Sequence, residues 1–497
     1  MAERPMAESF ADLIAAEDVL LFVNAAVTAT GQREFRSRAE EQRLSLAFLH
    51  EYVRVNYRPV YAAALALDIN DHNAALVVVQ LLINAGDASA AERRTEGALI
   101  GARLALMPPQ RVYRVFRALR AARVNNRRTR AIMRDWLAAR PDVGHDAVKY
   151  RSGLKNALRH AHLPPRSVEL GDFLFRPGAR VRYEHGFLDA HRRAHFEQSA
   201  VYELPYTVAE GFAARHGIPR ALFLERIAPR MTRLERLRTQ RTGPTADLAV
   251  MPLTRLALYV LSLPAGERVA RRAELTGALR ASAARAAGAR AGTWGQVAAV
   301  LDDSYSASGS SEKRRRPLAV ALGCHYLLEA LAAPGAYRAH WTSGARDPLL
   351  VRPWGPTPLG SRILDALEDA PQRLVIVSDG WDNAPPGLAG EVLRVWRTRL
   401  DPERRTSAVH VNPVYDADGF DVRRLAPSVP TAGIRDAEDL PALVEIAQFA
   451  EGRTGLAELL AHLRERTDRF LGTGRERTDR FLGAGRDRLA GARGGAP

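Results

Sequence analysis

The chain has 497 residues, too many for one compact domain and enough for two or three domains with full cores. It carries 72 Lys and Arg against 56 Asp and Glu, and this net charge of +16 makes a polyanionic partner the first hypothesis to test. A single cysteine, Cys324, excludes an intrachain disulfide framework, and no apolar run is long enough to span a membrane. Because the first ten residues are polar and unlike a signal peptide, we expect a soluble cytoplasmic protein.

Short amphipathic segments follow one another from residue 10 to about 290. After Pro108 and Pro109, apolar residues recur at i, i+3, i+4 and i+7 from Val112 to Leu119, which predicts a helix with one buried face. Strand-like alternation is nearly absent in this region. The pattern predicts an all-α helical-repeat domain over residues 1–290.

Strand-like and helical segments alternate after Gly292. This alternation predicts a mostly parallel sheet covered by helices on both faces, an α/β domain over residues 295–462. The predicted strands are 297–301, 337–341, 373–377 and 407–411, and the predicted helices are 316–331, 359–367 and 391–400, with a last helix beginning near residue 456.

The C-terminal residues repeat themselves. ERTDRFLGTGR at 465–475 returns as ERTDRFLGAGR at 476–486. Residues 463–497 hold nine Arg against five acidic residues, together with glycines that weaken a helix. We therefore expect 463–497 to be a flexible basic tail.

Hydroxyl and carboxylate side chains follow two of the predicted strands. Asp302, Ser304 and Ser306 form a D-x-S-x-S array directly after the first strand, Thr357 precedes a helix, and Asp379 ends a later strand. Ligands bind at the carboxyl ends of strands in open α/β sheets, and such oxygen ligands suit a hard cation such as Mg²⁺. A serine-rich turn that caps the next helix is the alternative interpretation of the array alone.

These pieces in this order resemble the metal-ion-dependent adhesion site of von Willebrand A domains, which have a Rossmann-like α/β fold. The resemblance implies that the two serines and the threonine bind a divalent cation directly and that the two aspartates act largely through water. It also implies an open coordination position for a carboxylate of an acidic protein partner. The chain departs from the family at Tyr305, where glycine is usual, and at Ala307, where methionine is usual.

Positive charge concentrates between Arg111 and Arg166, where fifteen Lys and Arg stand against three Asp. Spacings of three and four place several of these cations on common helical faces, and Tyr150 offers a ring on which unpaired bases stack. A solvated arginine-rich face is the alternative for any single residue, but the concentration favours nucleic-acid binding. The candidate RNA-binding residues are Arg127, Arg130, Arg134, Lys149, Arg151, Lys155, Arg159 and His162.

Three patches of the helical region resemble the TROVE module of the Ro autoantigen and its bacterial relatives. They are Asp135-Trp136-Leu137, the segment 149–162 and the segment 251–256. The resemblance implies a ring of HEAT-like helical repeats followed by a von Willebrand A domain. It implies binding of Y RNA-like small noncoding RNA and of single-stranded RNA ends, with an exoribonuclease as a possible partner. The segment after Arg151 is shorter than the family pattern and lacks its usual tryptophan-histidine pair.

The sequence therefore favours a non-enzymatic, Ro-type noncoding-RNA-binding protein that acts in RNA quality control or processing. The alternative is a metal-dependent protein-binding scaffold, with RNA binding incidental. A metal-dependent nuclease is the minority hypothesis, because a single cation held mainly by hydroxyls is more typical of binding than of hydrolysis.

Overall fold

The structure, a computed structural model, describes residues 10–232, 235, 248–449 and 459–473. The chain forms two compact units. One unit joins Met1–Ala74 to Asp247–Pro497 and is called the α/β unit below; the other, Ala75–Ala246, is called the helical unit. The compact units therefore differ from the sequence-based division at residues 290 and 295, because helices on both sides of the helical unit pack with the sheet.

Helices dominate the described residues. The helices that precede or open the helical unit are α1 (Phe10–Thr28), α2 (Ala39–Asn56), α3 (Arg58–Ala63) and α4 (Asp71–Ile83). The helical unit continues with α5 (Ala90–Leu106), α6 (Pro109–Ala121), α7 (Arg127–Ala138), α8 (Val143–Lys149), α9 (Arg151–Ala161), α10 (Val168–Phe175), α11 (Gly186–Arg193), α12 (Tyr206–Arg215) and α13 (Arg220–Ile227). The α/β unit then resumes with α14 (Leu253–Ser262), α15 (Ala265–Ala270), α16 (Arg272–Ala287), α17 (Arg316–Leu331), α18 (Leu359–Glu368), α19 (Leu388–Val395), α20 (Leu440–Phe449) and α21 (459–473).

A parallel sheet organises the α/β unit. Its strands lie in the order β2-β1-β3-β4-β7, and each neighbouring pair is parallel. Every residue of β1 is buried, as expected for a strand covered by helices on both faces. The strands are β1 (Val297–Leu301), β2 (Tyr337–Trp341), β3 (Arg373–Val377), β4 (Ser407–Asn412), β5 (Tyr415–Asp416), β6 (Asp421–Val422) and β7 (Thr431–Gly433), of which β5 and β6 form a separate antiparallel pair.

Long-range polar contacts attach the flanking helices to this sheet. The Asn24 side chain of α1 accepts a hydrogen bond from the Gly433 N–H at 2.9 Å and donates one to Asp421 Oδ1 at 3.1 Å. In α14, Thr254 Oγ1 accepts the Ala437 N–H at 2.6 Å. Helices from both sides of the helical unit in the sequence thus pack with the α/β segment.

The helical unit is built on the apolar stripe that the sequence predicts. Phe116 of α6 is buried, and its ring meets that of Trp136 of α7 edge to face, with 5.4 Å between centroids. Helix α9 approaches α6 closely at Gly153, where a Cβ atom would lie 2.9 Å from the Tyr113 side chain. A side chain at position 153 would therefore push the two helices apart.

Two helices differ from their predicted bounds. The helix expected at 391–400 begins at Leu388, after Gly387 in a left-handed conformation (φ +79°), and its last turn over Trp396–Leu400 is widened. Helix α21 extends into the segment expected to be a flexible tail, because Leu463 is buried and Arg466 lies 3.6 Å from Asp68. The second copy of the repeat lies outside the described residues, as does residue 456. Within the described chain, no helix combines the length and the apolar character needed to cross a bilayer.

Residues 30–38, called the strap, connect α1 to α2 and are fixed by a buried ion pair. Glu34 of the strap pairs with Lys313, and both side chains are buried. Burial raises the pKa of Glu34 and lowers that of Lys313, while the attraction between the two charges opposes both shifts. Ser310 Oγ also donates to the Arg33 carbonyl at 2.6 Å, so the strap is held against the loop that follows β1.

We predict that Lys313→Met lowers the free energy of unfolding by about 3–5 kcal/mol, because it leaves the Glu34 carboxylate buried without its partner. Urea denaturation measures the change. The double variant Glu34→Leu/Lys313→Met should recover most of the loss. As a control, Arg405→Met breaks an exposed pair with Glu403 and should cost less than about 1 kcal/mol. Equal losses of unfolding free energy in Lys313→Met and Arg405→Met would contradict a stabilising role of the buried pair.

A second prediction concerns His50, which is buried between Tyr61 and Asn73. Burial lowers its pKa from 6.5 to about 4, so the unfolded chain takes up a proton at a higher pH than the folded chain does. Stability contributed by the neutral imidazole is therefore present above pH 6.5 and is lost as the pH falls toward 4. Between these pH values, the wild type should lose about 3 kcal/mol more unfolding free energy than His50→Gln. Parallel pH profiles of the two proteins would refute this.

Candidate metal centre and nucleic-acid interface

The predicted metal ligands lie where β1 and β3 end side by side. Strand succession reverses here, since β2 lies on one side of β1 and β3 on the other, and this is the usual ligand position in open α/β sheets. The Asp302 N–H donates to the Val377 carbonyl at 2.9 Å, which joins the two strand ends. All five predicted ligands are buried: Asp302, Ser304, Ser306, Thr357 and Asp379.

Hydrogen bonds within the first loop set the direction of its side chains. The Ser304 N–H donates to Asp302 Oδ1 at 2.8 Å, and the Ser304 and Ser306 hydroxyls lie 3.3 Å apart. Both carboxylate oxygens of the neighbouring Asp303 are engaged by other donors, the Thr342 hydroxyl and Ser343, and the Thr342 hydroxyl also lies 3.3 Å from Asp302 Oδ1. Asp302 is therefore the aspartate of this pair that faces the other candidate ligands, as the D-x-S-x-S spacing predicts.

Two backbone contacts bring the remaining loop to the same place. The Thr357 N–H donates to Asn383 Oδ1 at 2.8 Å, and the Asn383 N–H donates to the Thr357 carbonyl at 3.2 Å. The Tyr305 N–H donates to the Gly355 carbonyl at 3.0 Å. The loop of Thr357 is thus fixed to both the loop after β1 and the loop after β3.

The two aspartates carry a charge that the protein alone balances poorly. Burial, followed by repulsion from Asp379, raises the pKa of Asp302 to about 7. Burial also raises the pKa of Asp379, against the lowering effects of a Ser306 hydrogen bond, the Trp381 N–H and the Arg36 and Arg423 charges. Two desolvated carboxylates beside three hydroxyls form a donor set that fits a hard divalent cation.

Hydroxyl groups are essential to this candidate centre. Across the described ranges there is no cluster of three or more His, Cys, Asp or Glu side chains that could hold a metal ion by themselves. Tyr305 does not fill the space over the hydroxyls: its side chain is 65% exposed, and its ring meets Phe35 of the strap edge to face at 5.8 Å. The tyrosine that departs from the family pattern therefore lies at the rim.

Several of the predicted RNA-binding cations already have partners within the helical unit. Lys149 lies 3.3 Å from Glu235, and Arg134 lies 3.1 Å from Asp135. Arg151 donates to the Phe173 carbonyl at 2.7 Å. These contacts hold the three cations in place and reduce the charge that each offers to a ligand.

The other predicted cations are more available. Arg127 is exposed and Arg130 half-buried, and no carboxylate in the part of the chain that the structure describes pairs with either. Lys155 and Arg159 both lie over the Phe175 ring, 5.3 and 5.1 Å from its centroid. Their charges therefore remain at the surface. His162 ends α9 in a left-handed conformation and lies 3.2 Å from the Asn125 side chain.

Five consecutive or near-consecutive residues surround the start of α9. Together with Val148 they line a cavity of about 510 Å³. The five residues are Lys149, Tyr150, Arg151, Ser152 and Lys155. Backbone N–H groups at a helix start and three nearby cations favour an anionic ligand such as a phosphate. The structure thus gathers three of the eight predicted RNA-binding residues around one cavity.

Sequence reasoning missed a row of arginines on α6. Arg111, Arg114, Arg117 and Arg120 recur every third residue, a signal that the sequence itself contains. Arg114 and Arg117 are exposed, and Arg120 donates to the Asn156 side chain of α9 at 2.6 Å. The exposed edges of α6 and α9 therefore form one basic surface.

No protein-family model and no curated protein matches the chain. The features of the chain that bear on its function are the candidate metal centre and the basic surface.

We predict that Ser304→Ala weakens Mg²⁺ binding by at least about tenfold, because it removes a hydroxyl oxygen that lies beside Asp302. Isothermal titration calorimetry of metal-free protein measures the affinity, and the Mg²⁺-dependent rise in Tm reports the same binding. Ser308→Ala is the matched control: this hydroxyl lies in the same loop and should leave the affinity unchanged. Identical affinities for the two variants would argue against the assigned centre.

Proposed function

We propose that the chain is a noncoding-RNA-binding protein of the Ro type. The helical unit binds structured small RNA and single-stranded RNA ends in RNA quality control or processing, and the metal centre binds a protein partner. The observation that carries the proposal is the uneven distribution of charged residues between the two units. The helical unit has 31 Lys and Arg against 15 Asp and Glu, a net charge of +16, whereas the rest of the chain has 41 of each.

This distribution favours a polyanion as the ligand of the helical unit. A general preference of the sequence for arginine would add cations to both units, but the whole surplus lies in one. Exposed arginines on α6 and α9 lower the free energy of a nearby phosphate chain and release its bound counterions. The basic surface therefore suits the backbone of RNA irrespective of its sequence.

The cavity at the start of α9 adds a site for a particular group. A phosphate there would meet the N-terminal N–H groups of α9 and the side chains of Arg151 and Lys155. The half-buried Tyr150 lines the same cavity and offers an edge or face to an unpaired base. Phosphate and aromatic contacts side by side favour a single-stranded end over a continuous duplex.

We infer that the helices of residues 1–290 form a ring of HEAT-like repeats, that the α/β unit is of the von Willebrand A type, and that an exoribonuclease is among the partners. The resemblance of 135–137, 149–162 and 251–256 to the TROVE module supports the ring, and the five oxygen ligands support the domain type. Mg²⁺ would supply positive charge and an open position for a partner carboxylate, with Ser304, Ser306 and Thr357 as its holders.

A protein-binding scaffold is the second candidate function. It is favoured by the rim of the metal centre, where Tyr305 and Trp354 are 65% and 62% exposed. Exposed aromatic side chains beside arginines are typical of protein interfaces. Under this function the basic surface of the helical unit would bind RNA only weakly.

The test uses a fluorescent twelve-nucleotide oligouridylate and the full chain. We predict that log K falls by about 0.7 per neutralised phosphate for each tenfold rise in salt. Reversing three exposed charges, Arg114→Glu/Arg117→Glu/Arg127→Glu, should weaken binding by about two orders of magnitude, since each removes one phosphate contact and adds repulsion.

The matched control reverses three exposed arginines of the α/β unit, Arg338→Glu/Arg346→Glu/Arg399→Glu, and so changes the net charge equally. It should alter the affinity by less than about threefold. Equal losses in the two triple variants, or an affinity that is insensitive to salt, would overturn the assignment of RNA to the helical unit and favour the scaffold function.

A further inference from the structure

A cleft of about 610 Å³ begins beside the metal centre. Gly380, the residue after Asp379, lines it next to Arg423, and Arg424 and Ser428 line it as well. A volume of this size accommodates a short peptide segment. The cleft lies wholly within the α/β unit.

One cation in this cleft forms no ion pair with a carboxylate of the described residues, although its charge acts on the nearby Asp379. Arg394 pairs with Glu391 at 2.6 Å, and Arg424 lies 3.4 Å from Asp421. Arg423, by contrast, has no carboxylate partner among the residues that the structure describes. Its guanidinium lies over the Trp381 ring, 3.8 Å from the centroid, and this stacking fixes a planar group whose N–H edges remain available.

Two polar atoms in the same cleft also lack hydrogen-bond partners. Asp382 Oδ1 and Ser428 Oγ are buried and make no hydrogen bond within the described structure, although Asp382 Oδ2 accepts the Ala389 N–H at 2.6 Å. Both atoms are closed to solvent, and a turn of either side chain toward the cleft would bring it to the N–H and C=O groups of a bound peptide backbone.

We propose that this cleft binds an acidic segment of a partner protein whose first carboxylate meets the metal and whose following acidic residue pairs with Arg423. The inference rests on the proposed partner role of the metal centre and specifies its ligand. The segment leaves the metal past Gly380, places its backbone against Asp382 and Ser428, and presents a second carboxylate to the guanidinium. A planar carboxylate fits the two parallel N–H bonds of Arg423.

A peptide fits this cleft better than a nucleic acid does. The Trp381 ring, on which Arg423 stacks, is covered by a second guanidinium group, since Arg36 also lies 4.1 Å from its centroid. Little of the indole is left for a base to stack on, whereas stacking on aromatic rings is the main source of sequence-tolerant affinity for single strands.

The test compares two synthetic peptides by fluorescence anisotropy, with the full chain and Mg²⁺. One is Asp-Gly-Glu-Gly-Glu, and the control is Asp-Gly-Gln-Gly-Gln, which keeps the first carboxylate and the length. We predict that the acidic peptide binds about tenfold more tightly than its control. Arg423→Gln should bring the ratio of the two affinities to about one, and this ratio is the readout because loss of the Arg423 charge also acts on Asp379 and so on both peptides alike. Arg352→Gln, which removes an exposed charge outside the cleft, should preserve the difference.

Ser428→Ala is a second variant. It should weaken the binding of both peptides equally, because it removes a contact to the peptide backbone. Equal binding of the two peptides, or a difference that survives Arg423→Gln, overturns the inference while leaving the metal centre intact. Binding of neither peptide by Mg²⁺-loaded protein would overturn the partner role itself. Mg²⁺-dependent binding of oligouridylate that is lost in Arg423→Gln would assign the cleft to nucleic acid instead.

Discussion

Repulsion among arginines that the protein does not neutralise is the constraint on which this account depends. The exposed edges of α6 and α9 hold cations on one surface, and the carboxylates of the helical unit are engaged elsewhere, as where Asp146 lies 2.7 Å from Arg140. Such a surface is stabilised by a dense anion, because self-repulsion then becomes attraction. Aromatic side chains hold some of these cations in position, since Lys155 and Arg159 both lie over the Phe175 ring. This surplus of positive charge is the electrostatic feature that the proposed RNA ligand requires.

The α/β unit has the opposite local imbalance. Its net charge is zero, yet two buried carboxylates, Asp302 and Asp379, lie at adjacent strand ends where each raises the cost of ionising the other. Hydroxyl groups complete a donor set that a hard cation would occupy at little cost in geometry. The strap contributes Arg36 near the same place and is fixed there by the buried pair of Glu34 and Lys313. The ligands proposed for the two units therefore differ for one physical reason, which is uncompensated charge of opposite sign.

Much of the sheet, and the grouping of the candidate metal ligands at its edge, could be predicted from the sequence, because local patterns determine both. The strands at 297–301, 337–341 and 373–377 are short apolar runs, and their ends mark the ligand loops without any knowledge of tertiary contacts. The helices that complete the sheet could not be predicted in this way. The contact of Asn24 with Asp421 joins residues 397 positions apart, and the spacing of apolar residues in the sequence does not indicate it. For the same reason the sequence did not show that Lys149 has a partner in Glu235 or that the strap lies at the metal centre.

The most direct test of the central claim is ultraviolet crosslinking of the full chain to the RNA of its own cells, followed by sequencing of the RNA and mass spectrometry of the crosslinked peptides. We predict crosslinks within residues 109–162, with Tyr150 among the modified side chains, and enrichment of small noncoding RNAs and of RNAs with single-stranded ends. Crosslinks confined to residues 297–433, or RNA no different from the total pool, would contradict it.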